Sequence, residues 1–166
     1  IVVDRENLVK DTTAQMARAV KARNLDDLNN ALERVIELGM EGGEVDAAKA
    51  LRDELAAEAE LTEGLRSAMK AMKLKAESPA GIAPTDIEPL SAAIAAAQKE
   101  SVPDDNADMQ AAHEMEANMN EQITVQGLLA DAIASQDYHE LKDALNRSED
   151  LILKIDAVTT ARKLMR

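Results

Sequence analysis

Aromatic side chains are almost missing from this 166-residue chain: Tyr138 stands alone, with no Phe or Trp. Sheet cores and ligand pockets lean on aromatic and β-branched residues, so neither a β-rich fold nor an aromatic-lined pocket is expected. Cysteine is absent, which removes disulfides, thiolate metal sites and a cysteine nucleophile and is compatible with a cytoplasmic chain. Proline is rare, with four residues confined to two short stretches around Pro79–Pro89 and Pro103. No apolar run approaches the ~20 residues needed to span a bilayer, and there is no signal-peptide pattern. Positive charge is scarce, 19 Lys and Arg against 32 Asp and Glu, for a net charge of −13. Nucleic acid and anionic lipid both demand a basic patch. The run Lys70/Lys73/Lys75 comes nearest and reads as one solvated helix face, so neither partner is expected.

What remains is Ala, Leu, Ile, Val and Met, which supply nearly all of the 46% apolar content. With abundant Glu and Lys, this composition predicts an all-α fold. The stretch from Met16 to Leu51 returns 113 residues later without gaps. Leu28, Ala31, Leu32, Arg34, Leu38, Val45, Ala48 and Leu51 recur as Leu141, Ala144, Leu145, Arg147, Leu151, Val158, Ala161 and Leu164. A weaker middle copy opens at Leu65-Arg66-Ser67-Ala68-Met69. Starts at Met16, Leu65 and Leu129 give unequal periods, and the longer one absorbs a Pro/Gly segment. The expected architecture is about two and a half antiparallel helical hairpins, in an elongated array or as fused bundles sharing long helices.

Helices are expected over about 5–23, 25–38, 44–77, 87–100, 104–135, 138–152 and 156–164. Asn24 is read as closing the first helix in the left-handed conformation and capping the second, and Gly39 as the second helix's stop. Gly64 and Gly127 fall at matching junctions, which predicts a bend or a close neighbouring backbone. Ser78-Pro79-Ala80-Gly81-Ile82-Ala83-Pro84 reads as a linker, followed by a capping box from Thr85 to Glu88. The organisation is therefore 1–77, first repeat and long shared helix; 78–85, linker; and 86–166, second repeat and truncated third. The opening at Ile1 and the shortened last copy read as a fragment of something longer.

Tests for chemistry fail one by one. Asp104-x-Asn106-x-Asp108 opens like a calcium loop, but Met109 and Met115 stand where the motif needs Gly and Glu. It reads as an acidic helix start. His113 and Glu116 share a helix face without the second pair a carboxylate-bridged metal site needs. No glycine-rich phosphate loop and no Ser/His/acid spacing occurs. No cofactor, metal, small-molecule substrate or catalytic role is expected. The methionines carry the one binding idea. Met69 and Met72 on the third helix, with Met109, Met115 and Met119 on the fifth, either fill core gaps beside many alanines or form a flexible surface for a partner helix.

The run Ala19-Val20, Asn24, Leu28, Ala31-Leu32, Leu38-Gly39, Val45, Ala48, Leu51 resembles the Ala-rich helical-hairpin repeats of large cytoskeletal proteins, including axonemal (ciliary) scaffolds. The resemblance implies a non-catalytic segment of a cytoplasmic, cytoskeletal protein that spaces and docks other proteins. The alternative is a helical regulatory module gripped by a calcium sensor or a kinase-associated partner. Such a sensor needs a basic amphipathic target, and Arg66 to Lys75 comes closest.

Overall fold

The computed structural model describes residues 4–166; Ile1 to Val3, the start of the expected first unit, lie outside them. Among the described residues there are seven α-helices and no strand: α1 Arg5–Ala22, α2 Leu25–Glu37, α3 Gly43–Ala76, α4 Glu88–Lys99, α5 Ala107–Ser135, α6 Tyr138–Asp150 and α7 Asp156–Leu164. A short 3-10 turn, Pro84–Ile87, precedes α4. Among the described residues no helix is long and apolar enough to cross a membrane.

The clearest case of sequence making structure is α2. Leu28, Ala31, Leu32 and Val35 fall at helical spacing and are all buried, which places one stripe against the core. At its start the Asn24 side chain accepts the Asp27 N–H at 3.0 Å, satisfying one of the first-turn donors. At its end the Gly39 N–H reaches the Ile36 carbonyl at 3.1 Å and the Met40 N–H reaches Val35 at 3.0 Å. That pair of bonds is a Schellman turn, which needs its closing residue at positive φ, and Gly39 supplies φ 62°.

The same turn ends α4 and α6. Ser101 and Val102 donate to Gln98 and Ala97, and Ile152 and Leu153 donate to Glu149 and Ser148. Ser101 and Ile152 hold φ 60° and 55°. A fourth such turn joins α1 to α2, and here the structure corrects the expectation for Asn24. Arg23 takes the left-handed position at φ 50°, while Asn24 is extended at φ −95°. The bonds from Arg23 and Asn24 to Val20 and Ala19 fix the left-handed residue one place earlier, which leaves Asn24 free to cap.

The chain forms two compact units, residues up to Glu60 and residues from Leu61 onward. In the first, Met16 and Ala19 of α1, the α2 stripe, and Val45, Ala48 and Leu55 of α3 make one core. The second holds two cores along α5. One gathers Leu65 and Met72 of α3, Leu90, Ile94 and Ala97 of α4, and Met109, Ala112 and Met119 of α5. The other gathers Val125, Leu129 and Ala132 of α5, Leu141, Ala144 and Leu145 of α6, and Val158 and Ala161 of α7. Burial in the first and last cores coincides at the 113-residue offset, for Thr12 and Val125, Met16 and Leu129, Ala19 and Ala132, Val35 and Ser148, Val45 and Val158, and Ala48 and Ala161 alike. Ser148 is tolerated in this place because its hydroxyl donates to the Leu145 carbonyl at 2.7 Å.

The segment expected to be a linker is packed inside the second unit, and the boundary between units falls at 60/61 rather than at 78–85. Ile82 is buried and its N–H donates to the Gln126 side-chain oxygen at 3.0 Å, while the Pro79 carbonyl accepts the Asp156 N–H at 2.9 Å. Gly81 has φ +86°, and a Cβ there would collide with the Gln126 amide. The expected Thr85–Glu88 capping box is replaced by a single capping bond two residues earlier, in which Asp86 accepts the Ala83 N–H at 2.9 Å. The insertion enters as a 3-10 turn, so the donor in need is that of Ala83.

Of the two roles expected for Gly64 and Gly127, a close neighbouring backbone is not found. A Cβ at either would meet nothing within 4 Å, so no neighbouring backbone approaches them. Gly64→Ala and Gly127→Ala should each stabilise the protein by up to about 1 kcal/mol through helix propensity. Ile152, a β-branched residue at positive φ and 76% exposed, pays for its conformation without packing in return. Ile152→Gly should therefore stabilise by roughly 1 kcal/mol and Gly39→Ile should destabilise by a similar amount. Urea unfolding followed by far-ultraviolet circular dichroism measures all four; a lower midpoint for Ile152→Gly would contradict the strain argument.

Candidate functional site

The methionines resolve as core. Met72, Met109 and Met119 are buried, and Met69 and Met115 are half-buried against the same cluster as Leu65, Leu90 and Ile94. The five side chains fall on the inward stripes of α3 and α5, beside Ala97 and Ala112, where an unbranched, flexible side chain fills the space that small residues leave. Of the two readings open for Met69, Met72, Met109, Met115 and Met119, the packing favours gap-filling over a docking surface.

The acidic run before α5 is a helix cap. Asn106 accepts the N–H groups of Asp108 and Met109 at 2.9 and 3.2 Å, and the Asp108 carboxylate takes a two-pronged bond from Arg66 at 3.0 and 2.8 Å. Of the His113/Glu116 pair, Glu116 accepts a bond from the Ser91 hydroxyl and the His113 ring lies 3.4 Å from the Gln98 amide nitrogen. Both side chains tie α5 to α4. Among the described residues no three His, Asp or Glu side chains converge as metal ligands. The basic stretch from Arg66 to Lys75 turns Met72 into the core and pairs Lys75 with Asp86 at 3.1 Å, so its apolar stripe is already used; Leu74 is left exposed.

Two surface grooves stand out instead, one in each unit. The groove between α5 and α6 has a volume of about 600 Å³ and is lined by Leu128, Asp131, Ala132, Glu140, Asp143, Ala144, Asn146 and Arg147. The groove between α1 and α2 has about 650 Å³ and is lined by Gln15, Arg18, Ala19, Asp27, Asn30, Ala31, Glu33 and Arg34, with Ala22 and Glu37 extending it. Every lining position of the first has its counterpart 113 residues earlier in the second. The floors agree, Ala132 and Ala144 matching Ala19 and Ala31, all buried. The arginines agree as well, and each is held by a side chain from the facing helix: Arg34 donates to Gln15 at 2.9 Å, and Arg147 pairs with Glu121. The rims differ: Leu128 stands for Gln15, Asp131 for Arg18, Asp143 for Asn30 and Asn146 for Glu33.

Sequence reasoning found Arg34/Arg147 and the alanines as repeated residues but did not read them as lining a surface. The available signal was the pairing of two small residues with a repeated charge on adjacent helices.

No family model, curated protein or solved structure matches the chain.

Two capping carboxylates, Asp137 before α6 and Asp86 in the 3-10 turn before α4, are held below the ordinary carboxylate range. Asp137 caps α6 by accepting the N–H groups of Glu140 and His139, at 3.1 and 2.8 Å, and these bonds hold it below the ordinary carboxylate range. Asp86 is lowered by the Ala83 N–H and then by Lys75. A carboxylate lowered by folding stabilises the folded state above its unfolded pKa, about 3.9 for Asp. That contribution is lost as pH falls through the lower folded value. Stability should thus fall as pH drops below about 4. Asp137→Asn, which keeps a capping oxygen as Asn24 does, should flatten that acid limb in thermal melts taken from pH 2 to pH 6; an unchanged limb would show that these bonds do not set it.

Proposed function

We propose that the chain is a non-catalytic scaffolding segment of a larger cytoplasmic, cytoskeletal protein of the axonemal kind, and that it holds partner proteins on the faces of its helix pairs. On this reading the fold is a helical hairpin used about two and a half times, each unit passing its return helix on as the first helix of the next. One observation carries the proposal: the α1/α2 and α5/α6 pairs keep the same floor and the same arginine while their rims differ. A packed interior explains conservation of the buried alanines within the chain. It does not require an exposed arginine at the same place in both copies, held each time by the facing helix.

Repeats of this class stack supersecondary units and expose one face of each for binding. A surface of helix pairs with small residues at its floor suits the recognition of an elongated partner element. The acidic net charge, −13, favours partners with basic surfaces.

The test is cosedimentation with salt-washed axonemes. The chain should pellet saturably, and the double substitution Asn30→Arg/Asp143→Arg, which alters both rims at exposed positions, should weaken retention by about fivefold or more. A chain that stays in the supernatant would remove the cytoskeletal assignment. Retention indifferent to the rims would remove the helix-pair faces as the binding surface.

A further inference from the structure

We propose that the α5/α6 groove docks a short basic amphipathic helix of a partner protein. The inference deepens the scaffolding reading and rests on its view of the chain as protein-binding, but it concerns one groove and one ligand chemistry.

The floor is the first observation. Ala132 and Ala144 are buried and offer nothing beyond a methyl group, so an incoming helix can lie close to both α5 and α6. Leu128, 38% exposed, adds an apolar handle on the α5 side. The lined part of α6, from Glu140 to Arg147, is two turns, roughly 10 Å at 1.5 Å per residue. An occupant of two to three helical turns fits that length.

Charge selects which helix. Asp131 from α5 and Glu140 and Asp143 from α6 border the groove. Its one cation, Arg147, is committed to Glu121, and Glu140 accepts the Ser135 hydroxyl at 2.6 Å. Asp131 and Asp143, on opposite walls and exposed, are the carboxylates left to meet a ligand. The complementary helix carries Ala or Leu on the face against the floor and Lys or Arg on both flanks, three or four positions apart. A contact of this length lies below the ~1,200 Å² of a standard interface, so binding is weak, fast and sensitive to salt.

The α1/α2 groove supplies an internal control. It has the same floor and a similar volume, but Gln15 replaces the leucine, Arg18 reverses the charge at Asp131 and Asn30 removes that at Asp143, while Glu33 adds a carboxylate away from these positions, where Asn146 stands. Shape alone would make the grooves equivalent; the proposed chemistry makes them different.

The experiment titrates the ¹⁵N-labelled chain with a synthetic three-turn Lys/Leu/Ala helix and, separately, with a Glu/Leu/Ala helix of the same apolar spacing. The lysine peptide should shift amides between Leu128 and Arg147 saturably, with a Kd of about 10 µM to 1 mM, and leave those between Gln15 and Glu37 unmoved. The glutamate peptide should shift neither. Asp131→Arg should weaken binding about tenfold or more. Arg18→Asp/Asn30→Asp, which leaves Gln15 in place on Arg34, should create a second site in the first groove. Shifts spread evenly over both grooves or over the acidic surface at large would overturn the proposal, as would binding indifferent to Asp131→Arg. Failure here leaves axoneme retention to be judged by itself, and loss of axoneme retention leaves this groove standing.

Discussion

Gly39, Ser101 and Ile152 each sit at positive φ one residue beyond the last carbonyl-capped turn of α2, α4 and α6, and each is followed by a residue whose N–H closes onto the carbonyl five places back. That closure dictates the direction in which the chain leaves the helix. The residue that follows is apolar every time, Met40, Val102 and Leu153, and every time it joins the core of its own helix group. The return helix therefore starts from a fixed place and presents Val45 and Ala48, Met109 and Ala112, or Val158 and Ala161 inward. An ordinary type of turn at these positions would leave those pairs rotated away from their cores. Three residues of different kinds accept the same left-handed geometry, so the demand comes from the fold; Ile152 meets it at a cost that Gly39 does not incur.

With direction set by the turns, cohesion has to come from modest side chains. A buried Leu or Met contributes about 1.5–3 kcal/mol and an alanine methyl much less. Each core is accordingly assembled from a few large residues around alanines. Leu28 and Leu32 flank Ala31, Leu141 and Leu145 flank Ala144, and in the middle group Met72, Met109 and Met119 occupy the places around Ala97 and Ala112. Methionine suits the middle group because the insertion after α3 changes what the core must fill. Ile82 and Ile87 enter from that insertion, and flexible side chains adjust to it more easily than branched ones.

Helix existence and the 113-residue correspondence were readable in the sequence because both rest on spacing: Leu28, Ala31, Leu32 and Val35 mark α2, and Asn24 and Asp137 mark the starts of α2 and α6. What could not be read was anything that depends on a partner distant in the chain. The segment 78–85 has the composition of a free linker, yet Gln126 and Asp156 hold it through the Ile82 N–H and the Pro79 carbonyl. Met69, Met72, Met109, Met115 and Met119 carry the same pattern whether they face a core or a visitor. Only the position of α4 decides between the two. The capping of the insertion was misplaced for a related reason, since Thr85 and Glu88 fit the local pattern and the 3-10 turn shifts the unsatisfied donor to Ala83.

The grooves lie between these limits, because their floor is fixed by packing and their rim is not. Ala19, Ala31, Ala132 and Ala144 are each buried, so a larger residue at any of them would force the helix pair apart, with the strain that overpacking brings. Gln15, Arg18 and Asn30, like Leu128, Asp131 and Asp143, project beyond the packed layer, and substituting one for the other disturbs no core. A scaffold built this way can change what it recognises without changing how it folds. On the proposed reading, the charge reversal between Arg18 and Asp131 acts as a filter: a flanking cation that meets a carboxylate at Asp131 in one groove meets an arginine at the same place in the other, which has the same floor. Discrimination of that kind depends on keeping the backbone identical while the rim diverges, and the shared left-handed turns and buried alanines are what hold the backbone still.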